Sequence, residues 1–165
     1  MLRPGLSVAA MALAVSSATA VHAEGLLTHR DLSASMALTM AETAIDTCTK
    51  NGYRVSVTIV DREGDTILQV HGDNAGPHTV ENSRRKAYTA RTFGVPSGEF
   101  AERVKNNPGA SAVTVLPSIV AIQGGLPIKV GDDVVGAIGV SGAPGGEKDE
   151  ACSKAAIDKV ADLLK

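Results

Sequence analysis

The stretch Tyr53-Arg-Val-Ser-Val-Thr-Ile-Val60-Asp-Arg-Glu-Gly64-Asp-Thr-Ile-Leu-Gln-Val70 decides the fold class. Residues 53–60 are rich in β-branched side chains, which suit a pleated, half-buried surface. Residues 61–65 carry acids and a glycine, the chemistry of a turn. Residues 66–70 then return as a second strand, and so short a connection forces antiparallel pairing. Further along, residues 119–122, 126–130 and 134–141 read as three more short strands, punctuated by Gly124-Gly125 and Gly131-Asp132-Asp133. Upstream, Leu32, Met36, Met40, Ile45 and Cys48 recur near helical spacing. That predicts a helix capped by Thr28 or Asp31, running to about Lys50 and stopped by Asn51-Gly52. Residues 78–93 read as a second helix and residues 97–106 as a short third, broken by Asn107-Pro108-Gly109. Residues 147–165 read as the last helix, with Glu147, Asp149 and Glu150 at its start and Lys165 at its end, as the helix dipole favours. The order α-β-β-α-α-β-β-β-α predicts one α+β domain with a five-stranded antiparallel sheet flanked by helices.

Length and composition agree with a single folded unit. The chain has 165 residues, of which 44% are hydrophobic and 21% charged. Its formal net charge is -2 and only 2% of residues are aromatic. A nearly neutral chain has little cationic surface to neutralise phosphates, and few rings on which bases can stack. No nucleic-acid partner is expected.

The first 23 residues read as an export signal rather than as part of the fold. Arg3 supplies the positive start, residues 6–15 an apolar core too short to span a bilayer, and Val21-His22-Ala23 a small-residue cleavage site. Cleavage falls before Glu24, with cleavage after Ala20 as the alternative. The domain then occupies residues 24–165, with no membrane span, in the periplasm or outside the cell. In an oxidising compartment Cys48 and Cys152, the two cysteines, read as a disulfide. They lie near the end of one predicted helix and the start of another, and meet if those helices pack antiparallel. Two buried free thiols are the alternative. A bridge closing a loop of roughly a hundred residues stabilises by about 4 to 5 kcal/mol in the chain-entropy model.

The segment with the densest polar chemistry is residues 71–90. On a helix His78, Asn82, Arg85 and Thr89 fall on one stripe. An imidazole, an amide, a guanidinium and a hydroxyl there suit a pocket, and Arg84, Arg85 and Lys86 suit a carboxylate. The plainer reading is a solvated helix face with His78 helping to cap its start. Gly136-x-x-Gly139-x-x-Gly142, followed by Gly145-Gly146, has neither dinucleotide nor Walker spacing, and the acids after it repel phosphate. These glycines read as close backbone packing, or as the rim of a pocket. The histidines beyond the signal, His29, His71 and His78, make no paired metal motif, and there is no Cys-x-x-Cys.

Several short motifs together resemble the HbpS-like, or GlcG-like, family of haem-binding or haem-degrading domains. They are Val57-Thr-Ile-Val-Asp61 with Gly64, Asp73-x-Ala75, Lys86-Ala-x-Thr-Ala90, Gly124-Gly-Leu-Pro-Ile128, Val135-Gly-Ala-Ile-Gly-Val-Ser-Gly142 and Asp149-Glu150. They run in the family's order from first strand to last helix. The resemblance implies a profilin-like α/β sandwich, assembled as a homo-oligomer, with haem as ligand. On that reading His78 is the ligand of the haem iron, Arg84, Arg85 and Lys86 meet the propionates, and His71 is the reserve ligand. Covalent attachment is excluded by the lack of Cys-x-x-Cys-His. Scarce aromatics weigh against a deep haem pocket and permit a surface or interface site. The competing reading is an enzyme or binding protein for a small oxygenated metabolite, related to glycolate or a diol. Its pocket uses Lys86, Thr89, Ser141 and Asp149, which lie in the family's motifs.

Overall fold

The computed structural model describes residues 25–165, so the export signal read in residues 1–23 lies outside the described residues. The hairpin that the sequence announces is present as β1 (Ser56–Val60) and β2 (Thr66–His71). With β3 (Gly125–Val130) and β4 (Asp133–Ser141) it makes an antiparallel sheet ordered β2-β1-β4-β3. The two central strands pair Ser56 with Ser141, Val57 with Val140, Thr58 with Gly139 and Ile59 with Ile138. Partners across a ladder share a face, so this register sorts the side chains into two unlike surfaces.

One surface carries Val57, Ile59, Ile138 and Val140, and is covered by α1 (Ala34–Lys50) and α4 (Gly146–Lys159). Ala37, Met40, Ala41 and Ala44 of α1 and Ala156 of α4 complete this main core. Small side chains let the two helices lie close, and Cys48 and Cys152 are joined in a disulfide with their Cα atoms 5.7 Å apart. The other surface carries Ser56, Thr58, Val60, Ala137, Gly139 and Ser141, and faces α2 (His78–Phe93). Here hydroxyls pair across the layers: Ser56 Oγ lies 2.7 Å from Thr79 Oγ1, and Thr58 Oγ1 lies 2.8 Å from Ser83 Oγ. The backbone of α2 comes so near that a Cβ on Gly139 would stand 2.1 Å from the Ser83 carbonyl oxygen. Only glycine fits there. The result is an α/β/α sandwich with an apolar, cross-linked layer on one side and a tight, polar layer on the other.

The structure corrects three expectations. Among the described residues the sheet has four strands, not five: residues 119–122 are not a strand. Their polar backbone groups go to α2 instead, where Val120 N–H donates to Thr89 Oγ1 at 2.9 Å and the Ile119 carbonyl accepts from Arg85 Nη2 at 2.5 Å. The first helix is capped by Ser33, whose Oγ accepts from Met36 N–H at 3.2 Å, and not by Thr28 or Asp31. Asp31 is engaged elsewhere, 3.7 Å from the Arg62 guanidinium. The last helix ends at Lys159, and a single 3₁₀ turn at Ala161–Leu163 follows. Helix α3 (Ser97–Asn106) leads into a 3₁₀ segment, Pro108–Val115, opened by the Asn107 side chain accepting from Gly109 N–H. Among the described residues no helix is long and apolar enough to cross a membrane, and no cluster of three or more metal-ligating side chains occurs.

Candidate functional site

Successive residues of a helix point about 100° apart, so Arg84, Arg85 and Lys86 cannot act as one cluster. Arg84 reaches back one turn to Glu81 at 2.8 Å and across to Ser118 Oγ at 3.0 Å. Its fork holds the Glu81 carboxyl below the usual carboxylate range. Arg85 holds the Ile119 carbonyl, while its Nε is buried without a partner. Lys86 turns inward and is only 1% exposed. Its ammonium donates to Asp149 Oδ2 at 2.7 Å and to the Val140 carbonyl at 3.0 Å.

The Lys86–Asp149 pair joins α2 to α4 past the end of the sheet. Asp149, 3% exposed, also accepts from Ala143 N–H at 2.9 Å through Oδ1. Gly124 closes over the pair with φ +126°, and a Cβ there would stand 2.8 Å from the Lys86 ammonium. Burial pushes the lysine below its usual range, against the pull of Asp149. Burial likewise pushes Asp149 up, against the pull of Lys86. With Gly124 seated on it, this ion pair is an internal tie rather than an open catalytic dyad. Thr89 and Ser141 are also buried and engaged, Thr89 by Val120 N–H and Ser141 by Asn82 Nδ2 at 2.9 Å. The four residues of the small-metabolite reading therefore brace the interior as the chain is folded here.

The outward side of α2 is different. A groove of about 380 Å³ is lined by His78, Glu81, Asn82, Arg85 and Ile122. His78 opens the helix and is exposed. Ile122, 43% exposed, brings an apolar wall from the segment that crosses α2. Of the expected stripe, His78, Asn82 and Arg85 meet here, while Thr89 turns inward. His71 stands apart: its Nε2 is 2.9 Å from the Ala75 carbonyl, which makes that nitrogen the N–H donor and ties down the loop before α2. Sequence reasoning missed Glu81 and Ile122. Glu81 is legible as the residue one turn after His78. No local signal marks Ile122, because only the path of residues 116–122 brings it there.

Comparison with known proteins places this architecture. The family model described as haem degrading protein, HbpS-like, matches residues 32–158. The chain belongs to the HbpS-like family. A crystal structure of a double mutant of Streptomyces reticuli HbpS is 34% identical, covers 87% of this chain and 97% of its own, and superposes with a TM-score of 0.77. Protein GlcG of Escherichia coli strain K12 is 29% identical over 110 residues, which is 67% of this chain and 81% of that protein. The structure of a PduOC:heme complex, 23% identical with a TM-score of 0.71, shares the fold over 79% of this chain and 95% of its own. In this HbpS-like chain the motifs that carry the resemblance build the frame: β1, Lys86 with Thr89, Gly124-Gly125, β4 and Asp149. The groove residues His78, Glu81, Asn82, Arg85 and Ile122 all lie outside those motifs.

Proposed function

We propose that this chain is an exported haem-binding protein that takes haem in the groove along the outer side of α2. The observation that carries the reading is the donor set of that groove, found on an HbpS-like frame. It combines one exposed imidazole, one half-buried guanidinium and one exposed aliphatic wall. Those are the chemistries that an iron, a propionate and a porphyrin edge require. Within it His78 holds the iron, Arg85 meets a propionate and Ile122 lies against the ring. Arg84 and Lys86, engaged by Glu81 and Asp149, are not needed as propionate partners. Bound haem supplies a redox-active iron, suited to haem handling, haem degradation or redox sensing. A half-open groove of this size covers part of a porphyrin, which agrees with a site completed by a second copy in a homo-oligomer. Cleavage before Glu24 delivers the domain to the periplasm or beyond.

A Soret titration of the purified chain tests the reading. Wild type is expected to bind haemin saturably. His78→Ala shifts the band and weakens binding at least tenfold, about 1.4 kcal/mol, while His29→Ala leaves both unchanged. An unaltered spectrum in the His78 variant overturns the ligand assignment. No saturable change in wild type overturns the haem reading itself, and leaves the small oxygenated metabolite as the ligand class to pursue. Light scattering at micromolar concentration checks assembly, and a monomer mass would contradict it. Intact mass of exported protein checks the start at Glu24.

A further inference from the structure

Residues 107–122 form a strap that runs from α3, against which its 3₁₀ portion packs, to α2, where side-chain hydrogen bonds hold residues 118–120. Its 3₁₀ portion, Pro108–Val115, buries no residue, and Val115 and Leu116 are exposed. Only Ile119 and Val120 are buried at its far end. Ser118 adopts φ +71°, a left-handed conformation uncommon for a residue with a Cβ. Three side chains of α2 do the gripping: Arg84 on Ser118 Oγ, Arg85 on the Ile119 carbonyl and Thr89 on Val120 N–H. The strap also supplies Ile122, a wall of the His78 groove.

Arg85 thus belongs to two structures at once. It lines the groove, and it anchors the strap. A carboxylate pairs side-on with a guanidinium through Nε and the neighbouring Nη, as two parallel bonds. Here Nη2 is given to Ile119, and Nε is buried and unpartnered. Side-on pairing there needs Nε uncovered, and uncovering it disturbs the guanidinium that the Ile119 carbonyl holds.

We propose that Arg85 is a positioning residue that couples anion occupancy of the α2 groove to release of the strap at residues 116–120, with Ile122 kept as the groove wall. The ligand class is a carboxylate-bearing planar molecule, and the coupling to haem rests on the reading given above. An occupied groove trades the Ile119 anchor for the ligand's carboxylate, so the strap with its exposed Val115 and Leu116 becomes free to move.

Amide hydrogen exchange of the folded chain, read by mass spectrometry on peptides spanning residues 116–122, tests this with haemin as the probe. The Val120 amide, bonded to Thr89, is the specific reporter. In wild type, haemin raises its exchange at least fivefold, at concentrations where the Soret signal is saturated. Arg85→Gln raises exchange of the same peptide without ligand and abolishes the response to haemin. Arg85→Lys, which keeps the charge and loses the fork, behaves likewise and serves if the glutamine variant fails to fold. Saturated Soret binding with unchanged exchange overturns the coupling while leaving the haem reading intact. Unchanged exchange in folded, ligand-free Arg85 variants overturns the anchor. Absence of Soret binding in wild type removes both the haem reading and the coupling.

Discussion

Lys86→Met is the sharpest test of the internal frame. Methionine keeps a flexible stem of similar length, so the packing of α2 changes little and the loss is chiefly the ammonium. What remains is Asp149, 3% exposed, with one backbone donor at Ala143 N–H. The carboxylate then has two courses. It can stay charged and unpaired, which costs about 3–5 kcal/mol for a broken buried pair. It can instead take up a proton: with an ordinary pKa of 3.8, that costs about 1.36 kcal/mol for each pH unit above it, hence about 4.4 kcal/mol at pH 7 and about 1.6 kcal/mol at pH 5. The cheaper course sets the loss, near 4 kcal/mol at neutral pH. Burial already raises Asp149 in the wild type, and removing Lys86 raises it further. The folded variant therefore binds that proton more tightly than the unfolded chain does. Its stability is greatest below pH 3.8 and is lost as pH rises through the folded pKa. Urea denaturation of wild type and variant at pH 5, 6 and 7 measures this, with midpoints read at constant m. Lys86→Met with Asp149→Asn, neutral at both positions and still able to accept from Ala143, recovers most of the loss. A single-variant cost under about 1 kcal/mol at pH 7, or one equal at pH 5 and pH 7, would refute the reasoning.

Other perturbations report on the layers separately. Reducing and alkylating Cys48 and Cys152, 104 residues apart, removes a cross-link that stabilises by about 4.7 kcal/mol in the chain-entropy model. Urea midpoints of the oxidised and alkylated forms show the difference, and two freely alkylated thiols in the native protein would contradict the bridge. Gly139→Ala drives a methyl against the Ser83 carbonyl and the Ala87 amide, 2.1 and 2.6 Å away. Overpacking of this kind costs about 3 kcal/mol, a fall of about 6–12 °C in Tm for a domain of this size. An unchanged melting curve would mean that α2 sits farther from the sheet than described.

The parts of the fold legible in the sequence are those whose cause is local. The β1–β2 hairpin, α2 at 78–93 and α3 at 97–106 follow from β-branched runs, turn residues and helix breakers within a few positions. The Cys48–Cys152 bridge was legible because compartment and helix placement pointed the same way. The misreading of residues 119–122 as a strand has a tertiary cause. A run of Ile, Val, Ala and Ile has the composition of a strand, yet its backbone is satisfied by the side chains of Arg85 and Thr89, forty residues or fewer upstream. The cap at Ser33 lies two residues past Asp31, a residue type that caps equally well, and only the path of the chain into α1 decides between them. At the groove, helical periodicity brought His78, Asn82 and Arg85 together and misplaced Thr89 by one step of the wheel. Periodicity orients a helix relative to itself. Which stripe faces the sheet depends on residues of other elements, among them Gly139, Ser56 and Thr58.

Helix α2 is written in two alphabets, and this sets where the chain can tolerate change. Its inner letters, Thr79, Ser83, Ala87 and Ala90, are buried against the sheet, which at Ser83 and Ala87 approaches too closely to admit more. Its outer letters, His78, Glu81, Asn82 and Arg85, meet the groove and no such wall. A combinatorial library confined to His78 and Glu81, whose side chains tie down no buried group, should return mostly folded proteins with an altered groove. One spread over the inner four should return few folded proteins of any kind. The same scaffold could therefore be retargeted to a new small molecule by rewriting a single stripe of one helix, with the disulfide-bearing layer left untouched as its foundation.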